Sequence, residues 1–172
     1  AWKLAGVLES HGIKKENPKD IINTINESYK ENLKFSHKKM IEHMAYIQKN
    51  KDCIDEEIFK NNNFKFLSDT NAVISLEDIY LGRAYGNEDF NTLIDEAKID
   101  THFLSPDYLN DNEIGVEEWK SFFDSLKISS TFRFVNNYGR YANIDGLISK
   151  IIENEDPAIN NKLLNYLGKY WR

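Results

Sequence analysis

Large aromatic residues recur between positions 64 and 128, and their spacing limits the folds open to this chain. Trp119, Phe122, Phe123 and Leu126 follow one another at intervals of three, one and three residues. That spacing places all four on one stripe of an α-helix. The apolar area of such a stripe has to be buried against other elements. The sequence therefore predicts a packed scaffold built mainly from helices.

A β-hairpin is predicted near residues 64–74. Two short β-prone runs, 64–67 and 72–74, flank the turn-forming residues 68–71. Ser75 then precedes Asp78 by three residues, which is the spacing of a capping box and predicts a short helical turn. The next segment, 82–86, lacks the pattern of a phosphate-binding loop and is expected to be a flexible surface loop.

Cap residues predict where most of the helices begin. The helix starts are Asn17-Pro18, Ser36 and Asp156-Pro157, and Ser105-Pro106 starts a further turn. Apolar residues at helical spacing extend the first of these helices to Leu33 and bring Tyr170 onto or near the buried face of the last. The same spacing predicts helices over residues 2–12 and 91–99, and residues 55–59 form one further predicted turn.

These elements predict a mainly α (α+β) fold, a helical module with a small β-hairpin. The 172 residues, 41% of them hydrophobic, are enough for one domain with a core. We expect a single module over 1–172 with two candidate subdomains. Residues 1–60 would form a helical subdomain, and residues 61–172 would form one that contains the hairpin and further helices. Aromatic residues near both ends, Trp2 and Trp171, favour a segment excised from a longer protein.

Charge and cysteine content exclude several classes of function. The net charge of −6 disfavours non-specific binding of nucleic acid, which needs clustered lysine and arginine. A single cysteine, Cys53, excludes an internal disulfide framework and a cysteine zinc cluster. It fits a reduced, cytoplasmic setting. No apolar run approaches the roughly 20 residues that cross a bilayer, so no membrane partner is expected.

An acidic segment over 102–113 offers an alternative, a metal-dependent hydrolase. Its candidate residues are His102, Asp107, Asp111 and Glu113, which supply imidazole and carboxylate groups close together in sequence. The segment does not match a calcium loop, because the required ligand positions hold the wrong residues. Acidic residues that favour a helix N-terminus explain the segment more simply.

A second alternative is a nucleic-acid adaptor. Phe132-Arg133-Phe134 alternates aromatic and basic residues, as RNA-binding sheets do, and Tyr138 and Arg140 follow. The acidic charge of the chain disfavours this interpretation. No other pattern indicates a site, so the sequence predicts no catalytic, cofactor-binding or metal-binding residue and no cofactor.

Three segments, with the hairpin before them, resemble a region downstream of the ATPase domain in very large sacsin-like and NO-VEIN-like proteins. Those ATPase domains belong to the heat-shock chaperone (GHKL) superfamily. The segments are Ile79-Tyr80-Leu81-Gly82, Phe103-Leu104-Ser105-Pro106-Asp107-Tyr108-Leu109 and Glu118-Trp119-Lys120-Ser121-Phe122-Phe123. The chain departs from the family pattern at Ser68, where proline is usual, at Asn71, where glycine is common, and at Lys127-Ile128, which replaces Gly-Val.

The resemblance implies a non-catalytic scaffold or interaction module within a heat-shock-chaperone-like ATPase protein. Its partners would be neighbouring domains of the parent protein and a protein client. The nucleotide motifs of the ATPase domain are not found in this sequence, so the resemblance places no ATP site on any of its residues.

Overall fold

The computed structural model describes residues 17–54, 63–110, 113–133, 135–136, 142–143 and 146–170. Over these residues the fold is mainly helical with short β-strands, which confirms the predicted class. The predicted helix over 2–12 and the predicted turn over 55–59 lie outside them. The chain divides into two compact units, unit 1 (Ala1–Phe64) and unit 2 (Lys65–Arg172).

Unit 1 contains two helices within its described residues, α1 (Pro18–Lys30) and α2 (His37–Lys49), followed by a 3-10 turn at Lys51–Cys53. Both predicted starts are confirmed. The Asn17 side chain accepts a hydrogen bond from the Lys19 backbone N–H, and the Ser36 hydroxyl accepts one from Lys39. These side chains satisfy N–H groups that the first turn of a helix leaves without partners.

The extension of α1 to Leu33 is wrong. Asn32 adopts a left-handed conformation with φ of 56°, and Leu33 N–H donates back to the Ser28 carbonyl at 3.1 Å. This pattern is a Schellman motif, which ends a helix and lets the chain leave it. Leu33 is therefore 52% exposed, although its spacing fits the apolar stripe. The apolar spacing contains no stop signal, which is carried instead by Asn32, because asparagine is the residue that most often replaces glycine in this left-handed position.

Unit 2 places three two-stranded sheets among four helices within its described residues. Its helices are α3 (Glu88–Glu96), α4 (Val116–Ser125), α5 (Gly146–Glu153) and α6 (Pro157–Tyr170). Its strands are β1 (Lys65–Leu67), β2 (Val73–Ser75), β3 (Ile79–Tyr80), β4 (His102–Phe103), β5 (Val135–Asn136) and β6 (Ala142–Asn143). The pairs β1–β2 and β5–β6 are antiparallel, and β3–β4 is parallel. Three 3-10 turns, Leu76–Asp78, Arg83–Tyr85 and Pro106–Asn110, connect these elements.

The predicted hairpin is confirmed as β1 and β2, with Phe66 opposite Ile74. Its turn closes with a hydrogen bond from Asn71 N–H to the Ser68 carbonyl at 2.9 Å. Asn71 has a φ of 62°, a left-handed conformation that asparagine tolerates better than most residues. The predicted helical turn after β2 is confirmed, but the capping box is wrong. The Ser75 hydroxyl makes no cap and instead accepts a hydrogen bond from Lys65 Nζ at 2.7 Å.

The expected flexible loop over 82–86 is also wrong, because it forms a tightly packed 3-10 turn. Tyr85 in this turn is 1% exposed. Gly82 lies so close to its neighbours that a Cβ there would be 2.7 Å from Asn91 Oδ1 and 2.9 Å from a Phe103 ring carbon. The turn is held by residues that are distant in sequence, which local composition does not reveal.

The helix predicted over 91–99 forms three residues earlier, as α3. Leu93, Ile94 and Ala97 are buried, as the spacing predicted. The last helix begins at Pro157 as predicted, but Tyr170 is 51% exposed at its end. No helix among the described residues has the length and apolar character needed to span a membrane.

The α4 stripe predicted from the sequence is confirmed as the centre of the unit 2 core. Trp119, Phe122, Phe123 and Leu126 are at most 2% exposed. A second cluster packs α3 against α5 and α6, and Phe90, Phe132 and Tyr166 are among its members. Together these aromatic residues bury the large apolar area that the sequence required.

Candidate functional site

The structure places His102, Asp107 and Glu113 of the predicted acidic site in three different elements, namely β4, the following 3-10 turn and the exposed turn before α4. His102 lies in β4 opposite Ile79, and its Nδ1 is buried without a hydrogen-bond partner. Asp107 lies in the 3-10 turn after β4 and accepts a hydrogen bond from Asn110 at 3.4 Å. Asp111 lies outside the described residues. Within the described ranges, no group of three or more histidine, cysteine, aspartate or glutamate residues is arranged to hold a metal ion.

Two acids that follow this segment lie at the start of α4. Glu117 and Glu118 lie in its first turn, and Glu118 Oε2 accepts a hydrogen bond from the Gly115 N–H at 3.0 Å. A carboxylate at this end of a helix is stabilised by the helix dipole and satisfies a free N–H group. This arrangement supports the structural interpretation of the acidic residues.

The residues proposed for nucleic-acid stacking are engaged inside unit 2. Phe132 is 2% exposed and packs edge-on against Phe90 at 5.1 Å, so its ring is not available to a base. Arg133 donates a hydrogen bond to the Leu76 carbonyl at 2.9 Å and lies 4.3 Å from the centre of the Tyr80 ring. Tyr138 and Arg140 lie outside the described residues.

Three residues of the motif segments, Tyr108, Trp119 and Phe123, form an aromatic cluster with Tyr85 and Phe66. Trp119 stacks on Phe123 with ring centres 5.2 Å apart and an interplanar angle of 14°. Tyr108 and Tyr85 pack against the same Phe123 ring at 5.3 and 5.8 Å. Phe66 from β1 contacts it at 6.3 Å. The cluster therefore joins the hairpin, two 3-10 turns and α4 around a single ring.

Two tyrosine hydroxyls fix the backbone around this cluster. Tyr108 accepts a hydrogen bond from the Leu67 N–H at 2.9 Å, and Tyr85 donates one to the Ser105 carbonyl at 2.7 Å. Burial, with smaller contributions from Tyr108 and Asp107, raises the pKa of Tyr85 far above its ordinary value. The phenol therefore stays protonated and serves as a permanent donor, which is a structural role.

One surface cleft, of about 290 Å³, lies between α3 and α6. Lys169 and the Tyr170 hydroxyl both donate hydrogen bonds to Asp89, and Lys162 pairs with Glu96. Hydrogen bonds from Lys169 and Tyr170 lower the pKa of Asp89, and the bond to Asp89 raises the pKa of Lys169. Exposed pairs of this kind contribute little to stability. These charges are paired across the cleft.

A second cleft, of about 500 Å³, lies beside β2. Its rim carries exposed carboxylates of Glu77, Asp78 and Asp100 and the ammonium group of Lys150. Sequence reasoning missed this grouping, because its members come from three segments separated by more than 20 residues. No local spacing signals that the turn after β2, the segment before β4 and α5 meet here.

Comparisons with protein-family models, with curated proteins and with solved structures find no match to this chain.

Proposed function

We propose that this chain is a non-catalytic scaffold and interaction module of a large cytoplasmic protein that carries a heat-shock-chaperone-like ATPase domain. The observation that carries the proposal is where the motif residues lie. Tyr80, Phe103, Tyr108, Trp119 and Phe123 are each at most 6% exposed. A motif whose members are buried specifies a packing arrangement and offers no groups to a substrate.

The polar groups within the cluster support the same role. The Tyr85 and Tyr108 hydroxyls are bonded to backbone atoms 20 and 41 residues away in sequence. Such bonds hold loops in a fixed arrangement, as a module that makes contacts through its surface requires. The partners that we propose are neighbouring domains of the parent protein and a protein client.

The absence of catalysis is tested by titrating the purified chain with MgATP in a calorimeter. We expect no binding heat and no phosphate release. Specific micromolar binding, or turnover that survives further purification, would contradict the proposal. MgADP and adenosine, titrated under the same conditions, distinguish recognition of phosphate from recognition of the base.

The parent class is tested by translating the gene upstream of residue 1. We expect a GHKL nucleotide-binding domain in the same reading frame. That domain, expressed separately, is then tested for binding to this chain with and without MgATP. A complete upstream frame without a GHKL domain would reject the parent class and leave the question of catalysis to the titration.

A further inference from the structure

The β2 strand is the open edge of its sheet. Ser68 N–H donates to the Ala72 carbonyl at 2.8 Å, so this pair is hydrogen-bonded across the hairpin. Opposed residues of an antiparallel pair alternate between bonded and non-bonded positions. The backbones of Phe66 and Ile74 are therefore hydrogen-bonded to one another, whereas Val73 opposes Leu67 at a position without such hydrogen bonds. The N–H and C=O groups of Val73 point away from β1.

The opposite edge of the hairpin supports this assignment. Leu67 directs its N–H to the Tyr108 hydroxyl and its C=O to the Ser105 N–H, both at 2.9 Å and both away from β2. Val73 has no such partner for either group among the described residues, and it is 51% exposed. The Ser75 N–H faces the same way, while its carbonyl begins the 3-10 turn.

The surface next to this edge is rich in carboxylates. Glu77, Asp78 and Asp100 are exposed on the rim of the 500 Å³ cleft, and Lys150 is the cation among its described lining residues. Arg133 lies behind the Tyr80 ring and donates its N–H groups to backbone carbonyls. The charges of Arg133 and of Lys65, whose Nζ donates to the Ser75 hydroxyl, reduce the negative potential of the rim. Among the groups that line the cleft itself, the carboxylates of Glu77, Asp78 and Asp100 outnumber the ammonium group of Lys150.

We propose that β2 is a docking edge for an extended, basic segment of a partner protein. The segment adds as a third strand, exchanges backbone hydrogen bonds with Val73 and accepts one from Ser75. Alternate side chains of the segment, lysine or arginine, reach Glu77, Asp78 and Asp100. Strand addition of this kind takes affinity from the backbone and specificity from the side chains. The inference rests on the proposed interaction role and gives that role a partner chemistry.

The test uses blocked peptides with alternating Lys and Val, and counterparts with alternating Glu and Val, titrated into the whole chain by calorimetry. We expect the basic peptide to bind, to bind about tenfold or more tightly than the acidic one, and to weaken as salt is raised. A basic peptide that fails to bind, or an acidic peptide that binds equally, overturns the proposal.

Val73→Pro tests the backbone contact. Proline is tolerated on an edge strand where its N–H would face solvent, so the hairpin should keep its fold while losing one outward donor. Val73→Thr keeps that donor and is the matched control. We expect Val73→Pro to weaken binding of the basic peptide about tenfold, as the loss of one hydrogen bond implies, and Val73→Thr to leave binding unchanged. Equal binding by the two variants overturns the proposal.

A basic peptide with N-methyl groups on alternate backbone amides repeats this test without changing the protein. The methylated peptide should not bind to the chain. This result tests the backbone contact even if Val73→Pro does not fold. Asp78→Asn and Asp100→Asn should weaken binding, and Lys150→Gln should strengthen it. Concentration-dependent dimerisation of the free chain that Val73→Pro abolishes would assign the edge to a second copy and overturn the proposal. Failure of the peptide tests leaves the MgATP result unaffected, so the two proposals fail separately.

Discussion

The cores of unit 1 and unit 2 differ in one group that bears on pH. The described core of unit 1 contains aliphatic and methionine side chains, the rings of Tyr29 and Phe64, and His43, which is 9% exposed and belongs to a residue type that titrates near neutral pH in water. The described core of unit 2 is closed by aromatic rings and by hydroxyls that keep their protons. The aromatic cluster around Phe123 should therefore have a stability that varies little between pH 5 and 8, while the stability of unit 1 depends on keeping the His43 imidazole neutral.

The surroundings of His43 show why its charge matters. Its Nδ1 lies 3.2 Å from the Tyr29 hydroxyl, and its ring packs edge-on against Phe35 at 4.9 Å. Burial, assisted by Lys39 and opposed by Glu42, lowers the pKa of His43 below its ordinary value. Burial also raises the pKa of Tyr29 far above its ordinary value, so that phenol remains neutral.

Among the variants that test this difference between the two units, Trp119→Ala should cause the largest loss of stability. The indole is fully buried and contacts Tyr108, Phe122 and Phe123, so its loss leaves a large cavity. We expect a loss of about 3–5 kcal/mol in the free energy of unfolding, measured by circular dichroism in urea. The loss should be the same at pH 5.5 and pH 7.5. A loss that changes with pH would contradict the assignment of pH sensitivity to unit 1.

Gly82→Ala should be the next most damaging change. The added methyl group would lie 2.7 Å from Asn91 Oδ1 and 2.9 Å from Phe103, and both neighbours are buried. We expect a loss of about 3 kcal/mol, at the upper end for overpacking. Gly146→Ala is the matched control, because nothing lies within 4 Å of its Cβ position. Similar urea midpoints for the two variants would show that the 3-10 turn at 83–85 adapts easily.

Tyr108→Phe tests whether hydroxyls matter to unit 2 beyond the rings that carry them. The change keeps the ring and leaves the Leu67 N–H without its acceptor. We expect a loss of about 2 kcal/mol, the usual cost of an unsatisfied buried donor. Hydrogen exchange at Leu67 should accelerate in the variant. Unchanged exchange there would mean that water replaces the phenol.

Lys127→Gly should stabilise unit 2. Lys127 follows α4 with a φ of 71°, and Lys127 and Ile128 donate to the carbonyls of Asp124 and Phe123 in a Schellman motif. Glycine adopts this conformation without the penalty of a Cβ, so we expect a gain of about 1 kcal/mol. Lys120→Gly, within the same helix, should instead cost about 1 kcal/mol. If urea unfolding shows that both variants gain stability or that both lose it, the assignment of Lys127 to a Schellman motif is wrong.

The smallest expected effect is the pH dependence of unit 1. The folded pKa of His43 is lowered, so the unfolded state binds the proton more tightly. The stability that neutral His43 contributes is therefore complete above its unfolded pKa of about 6.5 and declines as the pH falls below it. Hydrogen exchange in α2, compared at pH 7.5 and pH 5.5 and corrected for intrinsic rates, should show the decline. His43→Gln should remove it, and an equal decline in that variant would assign it to another group.

Local signals predicted the elements that local chemistry determines. Asn17 and Ser36 start their helices because side-chain acceptors lie beside free N–H groups, and the Trp119 stripe follows from helical spacing alone. Tyr85 was missed because its burial depends on Phe123 and on a carbonyl 20 residues away. The parallel pairing of Ile79 with His102 has the same long-range origin.

For the candidate sites too, the sequence predicted what depends on local signals and missed what depends on long-range contacts. The helix-start interpretation of the acidic residues is confirmed for Glu117 and Glu118, which lie in the first turn of α4. Phe132 was placed in an exposed role because alternation of aromatic and basic residues gives no information on burial. The open edge of β2 requires the pairing register and the partners of Leu67, neither of which a single sequence contains.

The indole of Trp119 gives unit 2 an optical reporter. It is fully buried, and its Nε1 has no hydrogen-bond partner, whereas Trp2 and Trp171 lie outside the described residues. An excited indole without polar neighbours emits at short wavelength, and contact with water shifts that emission to the red. In a double variant with Trp2→Phe and Trp171→Phe, the emission maximum would report the opening of the aromatic cluster alone.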